Sequence, residues 1–469
     1  MASSYKASTA TVCITPDEPL WLAGYAARTA PARGKISDLY ASALALEDET
    51  GQRFVIASMD IIAISPVIAE PVVDAVRNHH GIERQQVLLS ATHTHYGPEF
   101  RPDKQVFFNI PTEYGAKLPA VAEKLSAALT QAIDQALARL EPVRLFARKT
   151  TAGFAHNRRR EGAASRATPG TRQPVMPDAG SPPQFGGPTA EDVVDHDVPV
   201  LDCVDASGKH QAILFGYACH NTTIPPDDLR YCGDWAGFAK DQLQAANPGS
   251  TVLFIPGAGA DQDPEPAGSV ELSRQHGREI ADAVQHSLDE PGVEITGPIR
   301  TEREDVPLPL LPITTDSLKQ MLDSDDPPQR VKAKFILDQL ARGEQLIESY
   351  SAPIQVVRFG NELFLIALSG EPVVDWAHKF KQGAGSRERG ARDATPSSLL
   401  PAPGSPLYWV AGYCNDMFGY VPTRRVQAEG GYEGGRANLW SWMPAPFTDD
   451  VEDRITAAVH RLVERVSES

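Results

Sequence analysis

Two histidines spaced one residue apart follow an apolar run, in Ala91-Thr92-His93-Thr94-His95-Tyr96-Gly97-Pro98 directly after QVLLSA. In an extended chain residues i and i+2 project to the same side, so both imidazoles can reach one point. Neutral imidazole is the commonest zinc ligand, and a strand end gives it a fixed platform. A pair of exposed loop histidines would satisfy the same pattern, so this motif alone leaves the choice open. A third histidine, His220, ends the apolar run Phe215-Gly216-Tyr217-Ala218-Cys219 and enters the polar turn Asn221-Thr222-Thr223. By itself it reads as a hydrogen-bonded core residue. Two strand-end histidine sites in one chain point to convergence, because α/β sheets assemble their sites at neighbouring strand ends.

A carboxylate completes the set. Glu371 follows the run ELFLIAL and sits between Gly370 and Pro372. Its simplest role is to cap a helix starting near Val373, since anions favour helix N-termini. Joined to the histidines it becomes a ligand, and a histidine–carboxylate set with an open position is what hydrolytic zinc sites require. Weaker signals surround these three. Arg158, in His156-Asn157-Arg158-Arg159-Arg160, is either part of a solvated basic turn or a group that holds a carboxylate or polarises a carbonyl. Asp234 reads as a helix N-cap. Asp261 and Asp263 follow the strand TVLFI in a glycine-rich loop, where they could cap, bind a second cation or act as a base.

The elements that must position these residues alternate. FVIAS (54–58), a helix over 66–79, QVLLSA (86–91) and a helix carrying Leu118, Val121, Leu125, Leu129, Ile133 and Leu137 come first. Strands at 198–204, 211–218 and 251–255 precede a helix with Leu272, Ile280, Val284 and Leu288. Further strands are expected around 354–358, 362–368 and 407–413. The pattern predicts an α/β fold of mixed β-sheets flanked by helices. Residues 159–190 and 384–406 lack apolar periodicity and read as long loops, the first a candidate lid; 315–349 reads as a helical insertion. Length alone gives two or three domains as a prior, but one α/β unit with insertions accommodates all 469 residues.

Composition excludes some partners. With 44 basic against 61 acidic side chains the formal charge is −17, which repels phosphate backbones and anionic bilayers, so no nucleic acid is expected. No apolar run is long enough to span a bilayer, and none near the start resembles a signal peptide. Five scattered cysteines read as reduced thiols. The chain as written reads as cytoplasmic, or secreted if a leader has been removed, with a small-molecule substrate and an oligomeric state the sequence leaves open.

Taken in order, these blocks resemble the catalytic domain of the neutral/alkaline ceramidases. Gly24-Tyr25-Ala26 is similar to that family's GYA block, and Ser58-Met59-Asp60 to its SxD. His93-Thr94-His95-Tyr96-Gly97-Pro98 is similar to HTHSGP with Tyr96 replacing serine, Asn157-Arg158 to the start of NRSP, and His220 to the histidine of VHGTS. Gly233-Asp234 and Gly237 resemble GDNKGYA, and Gly370-Glu371 resembles PGE. Asn415 to Thr423 and then Tyr432-Glu433-Gly434 resemble the NxYxxYVTT and YEG pair, with the twelve-residue step from Tyr420 to Tyr432 kept.

The resemblance implies zinc held by His93, His220, Glu371 and the phenolic oxygen of Tyr420, with His95, Arg158 and Tyr432 lining the site against the substrate carbonyl. Two departures bear on the substrate. Asp263 stands where the family's GDVSPN loop has serine, and the β-sandwich that follows the ceramidase catalytic domain has no counterpart in this sequence. An added carboxylate disfavours a purely apolar substrate and welcomes hydroxyl or ammonium groups. The expectation is therefore a zinc-dependent hydrolase that cleaves an amide, less readily an ester, of a polar small molecule. The alternatives are a true ceramidase acting on N-acylsphingosine and a non-catalytic zinc-binding protein.

Overall fold

A computed structural model describes residues 5–159, 193–382 and 406–468. Its main sheet is nine-stranded. Eight strands run in the spatial order Val87–Ala91, Arg53–Met59, Tyr40–Glu47, Tyr5–Cys13, Glu141–Thr151, Asp197–Val204, His210–Tyr217 and Thr251–Pro256. The ninth, Val293–Ile295, pairs with Glu141–Thr151. Interior pairings are antiparallel, and the outermost pair at each end is parallel. A second sheet of four strands comprises Ile299–Pro309, Ser349–Phe359, Leu363–Leu368 and Leu407–Ala411.

Side-chain alternation explains how these layers stack. Successive residues of a strand face opposite sides. Leu44, Leu46, Phe54, Ile56, Leu214 and Leu253 of the first sheet pack on Val357, Phe359, Leu363, Leu365 and Trp409 of the second, giving a sheet-on-sheet core. The intervening residues Ala43, Ala45, Val55 and Ala57 instead meet helices Pro66–His80 and Leu118–Leu137. Ile213, Phe215 and Phe254 meet helices Asp234–Ala246 and Val270–Asp289. The outer face of the four-stranded sheet is covered by Val451–Glu468 through Ile455, Val459 and Leu462. The result is a helix–sheet–sheet–helix arrangement in agreement with the expected mixed α/β class.

The two ends of the main sheet, remote in strand order, curve toward each other without closing a barrel. Ser58 Oγ, in the strand next to one edge, donates to the Phe254 carbonyl in the strand at the other. Just beyond the strand ends, Thr94 pairs with Asn221 in an isolated parallel bridge. That curvature brings the two histidine-bearing turns together. The insertion at 315–349 forms helices Thr315–Leu322 and Pro327–Ala341. The loops expected at 159–190 and 384–406 lie outside the described residues except for their edge residues 159 and 406. Among the described residues no helix is long and apolar enough to cross a membrane, and all five cysteines are free thiols.

Candidate metal centre

The strand carrying the first histidine pair ends at Ala91, and His93 takes a left-handed backbone with φ of 59°. This corrects the expectation of an extended HxH pair: the imidazoles meet because the chain turns at His93. The turn lets His93 Nδ1 donate to the Ile62 carbonyl at 2.7 Å. On the opposite turn His220 Nδ1 donates to Gly259 O at 2.9 Å, with Gln262 O a second acceptor at 3.2 Å. A carbonyl only accepts, so each Nδ1 carries a proton and each ring turns its Nε2 inward. The rings of His93 and His220 lie 4.9 Å apart. His95 joins them, its Nε2 3.4 Å from His93 Nε2, and one nitrogen from each of the three rings falls within a 4.8 Å cluster. Gly24 makes room for His95: a Cβ at that glycine would stand 2.4 Å from the ring's Nδ1.

Glu371 reaches the same point. Its Oε2 lies 3.5 Å from His93 Nε2 and 3.6 Å from His220 Nε2, is buried, and accepts no hydrogen bond among the described residues. The simpler role as a helix cap falls elsewhere. The next helix begins at Asp375, and the Val374 amide donates to Asp261 Oδ1 at 2.8 Å. Tyr420 sits directly beside Glu371, since the two are register partners in a short parallel pairing.

Electrostatics sharpen the picture. Burial holds His93 down to about 4, against the opposing pull of Glu371, so the ring is neutral near pH 7. Burial likewise puts His95 well below the ordinary imidazole value. Burial disfavours the Glu371 anion, and the neighbouring His93, His220 and Arg158 outweigh it, pulling the carboxyl down to about 2; the histidines exert that pull only when protonated. Two imidazole Nε2 atoms and a carboxylate oxygen thus converge at one point, an N,O donor set that could hold a metal ion and suits zinc. The residues fit the metal that the sequence implied.

Around this core lies a ring of charged and phenolic groups. Arg158 donates through Nη2 to the Tyr420 hydroxyl at 3.0 Å, through Nε to Glu433 at 2.6 Å and through Nη1 to Asp263 at 3.2 Å. Arg159 holds the other Glu433 oxygen at 2.7 Å. Arg158 and Asp263 approach because Gln262–Pro264 pairs with Ala155–Asn157, Asp263 opposite His156. Asp263 is therefore ion-paired at the mouth, its side chain 43% exposed. Burial and the Glu371 charge raise the Tyr420 phenol well above its usual value, and burial raises Tyr432 as well. The two rings lie 5.2 Å apart. Asp261 has a scaffolding place, fully buried between the Val374 amide and Asn157 Nδ2, and burial lifts its carboxyl to about 6.

Three contributors escaped sequence reasoning. Tyr413, left-handed at φ of 57°, packs its ring 4.4 Å from His93 and buries a hydroxyl without a partner among the described residues. Glu433 brackets both arginines; its place in the YEGG segment was visible, its role was not. Arg28 donates to the His95 carbonyl at 2.8 Å, and nothing in Ala26-Ala27-Arg28 signals that.

Comparison with known proteins bears on the family and the fold. A model of the neutral/alkaline non-lysosomal ceramidase N-terminal region matches residues 14–254, just over half of the chain and including His93, His95, Arg158 and His220. The structure resembles neutral ceramidase from Pseudomonas aeruginosa, with a TM-score of 0.68 at 18% identity over 98% of this chain and 75% of that one. It resembles equally a ceramidase complexed with C2, with a TM-score of 0.68 at 19% identity over 98% of this chain and 76% of the other. No curated protein matches. At such identities the likeness establishes the fold, while the sequence match establishes kinship: the chain belongs to the neutral/alkaline non-lysosomal ceramidase family.

Proposed function

We propose that the protein is a zinc-dependent amidohydrolase acting on a linear amide of a polar small molecule. The observation that carries this reading is the convergence of His93 Nε2 and His220 Nε2 on the Glu371 oxygen, which accepts no hydrogen bond among the described residues. His93, His220 and Glu371 hold the metal, and the Tyr420 phenolic oxygen completes the set. Zinc in such a site lowers the pKa of bound water to about 7 and polarises a carbonyl. The chain's own residues supply the rest. The Ile62 and Gly259 carbonyls fix the tautomers and aim of the two imidazoles, as outer partners of zinc ligands do. His95 and Tyr432 face the carbonyl being cleaved and donate hydrogen bonds to the oxygen as charge develops on it. Arg158, held by Glu433 and Asp263, keeps the Tyr420 hydroxyl oriented.

The mouth supports a polar substrate, since Asp263 and Arg158 meet there in a half-exposed pair. A second reading, hydrolysis of ceramide, draws support from the aromatic wall beyond Tyr432. Trp440 lies 5.9 Å from Tyr432, and Trp440 and Trp442 pack with Trp21, Phe107 and Phe108. Zinc-loaded protein assayed on polar N-acyl amides and on a short-chain fluorescent ceramide separates the two. Zinc-dependent turnover of a polar amide at least about tenfold above ceramide is expected. Equal or better turnover of ceramide transfers the assignment to the second reading, and no zinc-dependent turnover of any amide rejects both.

A further inference from the structure

A second convergence of metal-binding side chains lies where two helices meet at the surface. Helix Pro66–His80 ends in two adjacent histidines, and both reach Asp134 of the neighbouring helix Leu118–Leu137. His80 Nε2 lies 2.8 Å from Asp134 Oδ1, and His79 Nδ1 lies 3.2 and 3.1 Å from the two carboxylate oxygens. One ligand atom from each of the three residues falls within 4.8 Å of the other two. Adjacent residues leave a helix roughly 100° apart, so the carboxylate between the two rings is met from two sides. The rings themselves stand edge to face, with centroids 6.0 Å apart.

The scaffold beneath is fixed. Val72 and Val76 of the first helix share one buried cluster with Leu129 and Ile133 of the second. Gly81, left-handed at φ of 64°, ends the first helix, and its amide donates to Arg77 O at 2.9 Å. Arg53 Nη2 donates to the His80 carbonyl at 2.6 Å and so holds the last turn. The side chains of His79, His80 and Asp134 are 51, 21 and 34% exposed, which lets an ion reach them directly from solvent. They are also remote from the candidate centre. Their helix starts just after Ile62, whose carbonyl holds His93, and its fifteen residues place the histidines roughly 20 Å from that start.

We propose that His79, His80 and Asp134 form a second metal site, which takes one divalent ion of the zinc and copper class and clamps the end of helix Pro66–His80 to helix Leu118–Leu137. Two imidazoles and one carboxylate suit zinc, copper and nickel, whereas calcium and magnesium seek a shell of oxygens that this set does not offer. Bonds of about 2.0–2.2 Å put two ligands of a tetrahedral ion roughly 3.4 Å apart. The nitrogen–oxygen separations of 2.8–3.2 Å therefore need open by only a few tenths of an ångström. An exposed histidine–carboxylate pair by itself contributes little to stability. One ion held at three points joins two helices instead, and three protein ligands leave a position for water, so the ion exchanges with solvent.

The test titrates the metal-stripped full chain with zinc chloride against a chromophoric chelator. Wild type should take up one ion more than His79→Gln/His80→Gln. That difference holds whatever the candidate centre binds, since neither histidine belongs to it. Asp134→Asn and each single histidine change should weaken binding of the extra ion by at least about tenfold, the loss that even an outer partner's removal brings. Electron paramagnetic resonance with copper(II) then identifies the ligands: the wild-type spectrum should contain a component coupled to two nitrogens that His79→Gln/His80→Gln lacks. Equal zinc uptake by wild type and that double variant overturns the proposal, as does a copper spectrum that the double substitution leaves unchanged.

Discussion

At the scale of single residues, side-chain type was readable and backbone state was not. The HxH spacing and the strand-end position of His220 marked the ligand candidates. The left-handed turn at His93 was invisible because no glycine announces it; such a backbone in a histidine persists only where its surroundings fix it. Here the Ile62 carbonyl and the Tyr413 ring do so. Tyr420 is the residue whose role rests most on resemblance, supported by its register with Glu371 and its bond from Arg158. If its oxygen binds the metal, Tyr420→Phe should weaken zinc affinity by at least about tenfold, the loss seen when even an outer partner is removed. Chelator competition measures this directly, and unchanged affinity would leave Tyr420 a wall of the site.

At the scale of elements, strands with large apolar residues could be read off the chain, and others could not. YKASTATVC and IRTEREDVPLP form strands Tyr5–Cys13 and Ile299–Pro309 although one is small and polar and the other heavily charged. Their ladder partners decide their structure, which local pattern cannot foretell. The helical insertion has a purpose that composition hid. Lys332, 1% exposed in Pro327–Ala341, donates to the carbonyls of Asn438, Ser441 and Met443, and Lys104 donates to Trp440 O at 2.7 Å. Two lysines from separate elements therefore pin the segment that follows Tyr432 and Glu433. Lys332→Met leaves the Ser441 carbonyl without a donor, while Met443 O keeps Asn438 Nδ2 and Asn438 O keeps the Ser441 amide, and should cost about 1–3 kcal/mol of stability. Burial, with Lys104 adding to it, lowers Lys332 from 10.5 to about 7. Between those values the unfolded chain holds a proton the folded chain has released, so rising pH favours the folded state. The stability of wild type relative to Lys332→Met should thus grow from pH 7 toward pH 10 in denaturant titrations. A pH-independent difference would show that the ammonium stays charged in its cup of carbonyls.

For the whole molecule, the decisive feature is the curvature of the main sheet, which joins turns from its opposite ends. Sequence order placed His93 and His220 beyond different strands, and the bridge from Thr94 to Asn221 with the Asn221 Nδ2 bond to Thr92 O puts them face to face. The net charge of −17 disfavours anions at long range, yet screening confines that effect to roughly 8 Å at physiological ionic strength. Arg158 stands within the candidate site, beside Tyr420, where local geometry prevails. Family membership and fold agree with hydrolysis, and the metal is the claim on which the chemistry depends. An anomalous-scattering map from crystals of the zinc-loaded protein, recorded on both sides of the zinc edge, tests it most directly. The account predicts one strong peak about 2.0–2.2 Å from His93 Nε2, His220 Nε2 and a Glu371 oxygen. The absence of a zinc peak at this point in zinc-saturated crystals would contradict it.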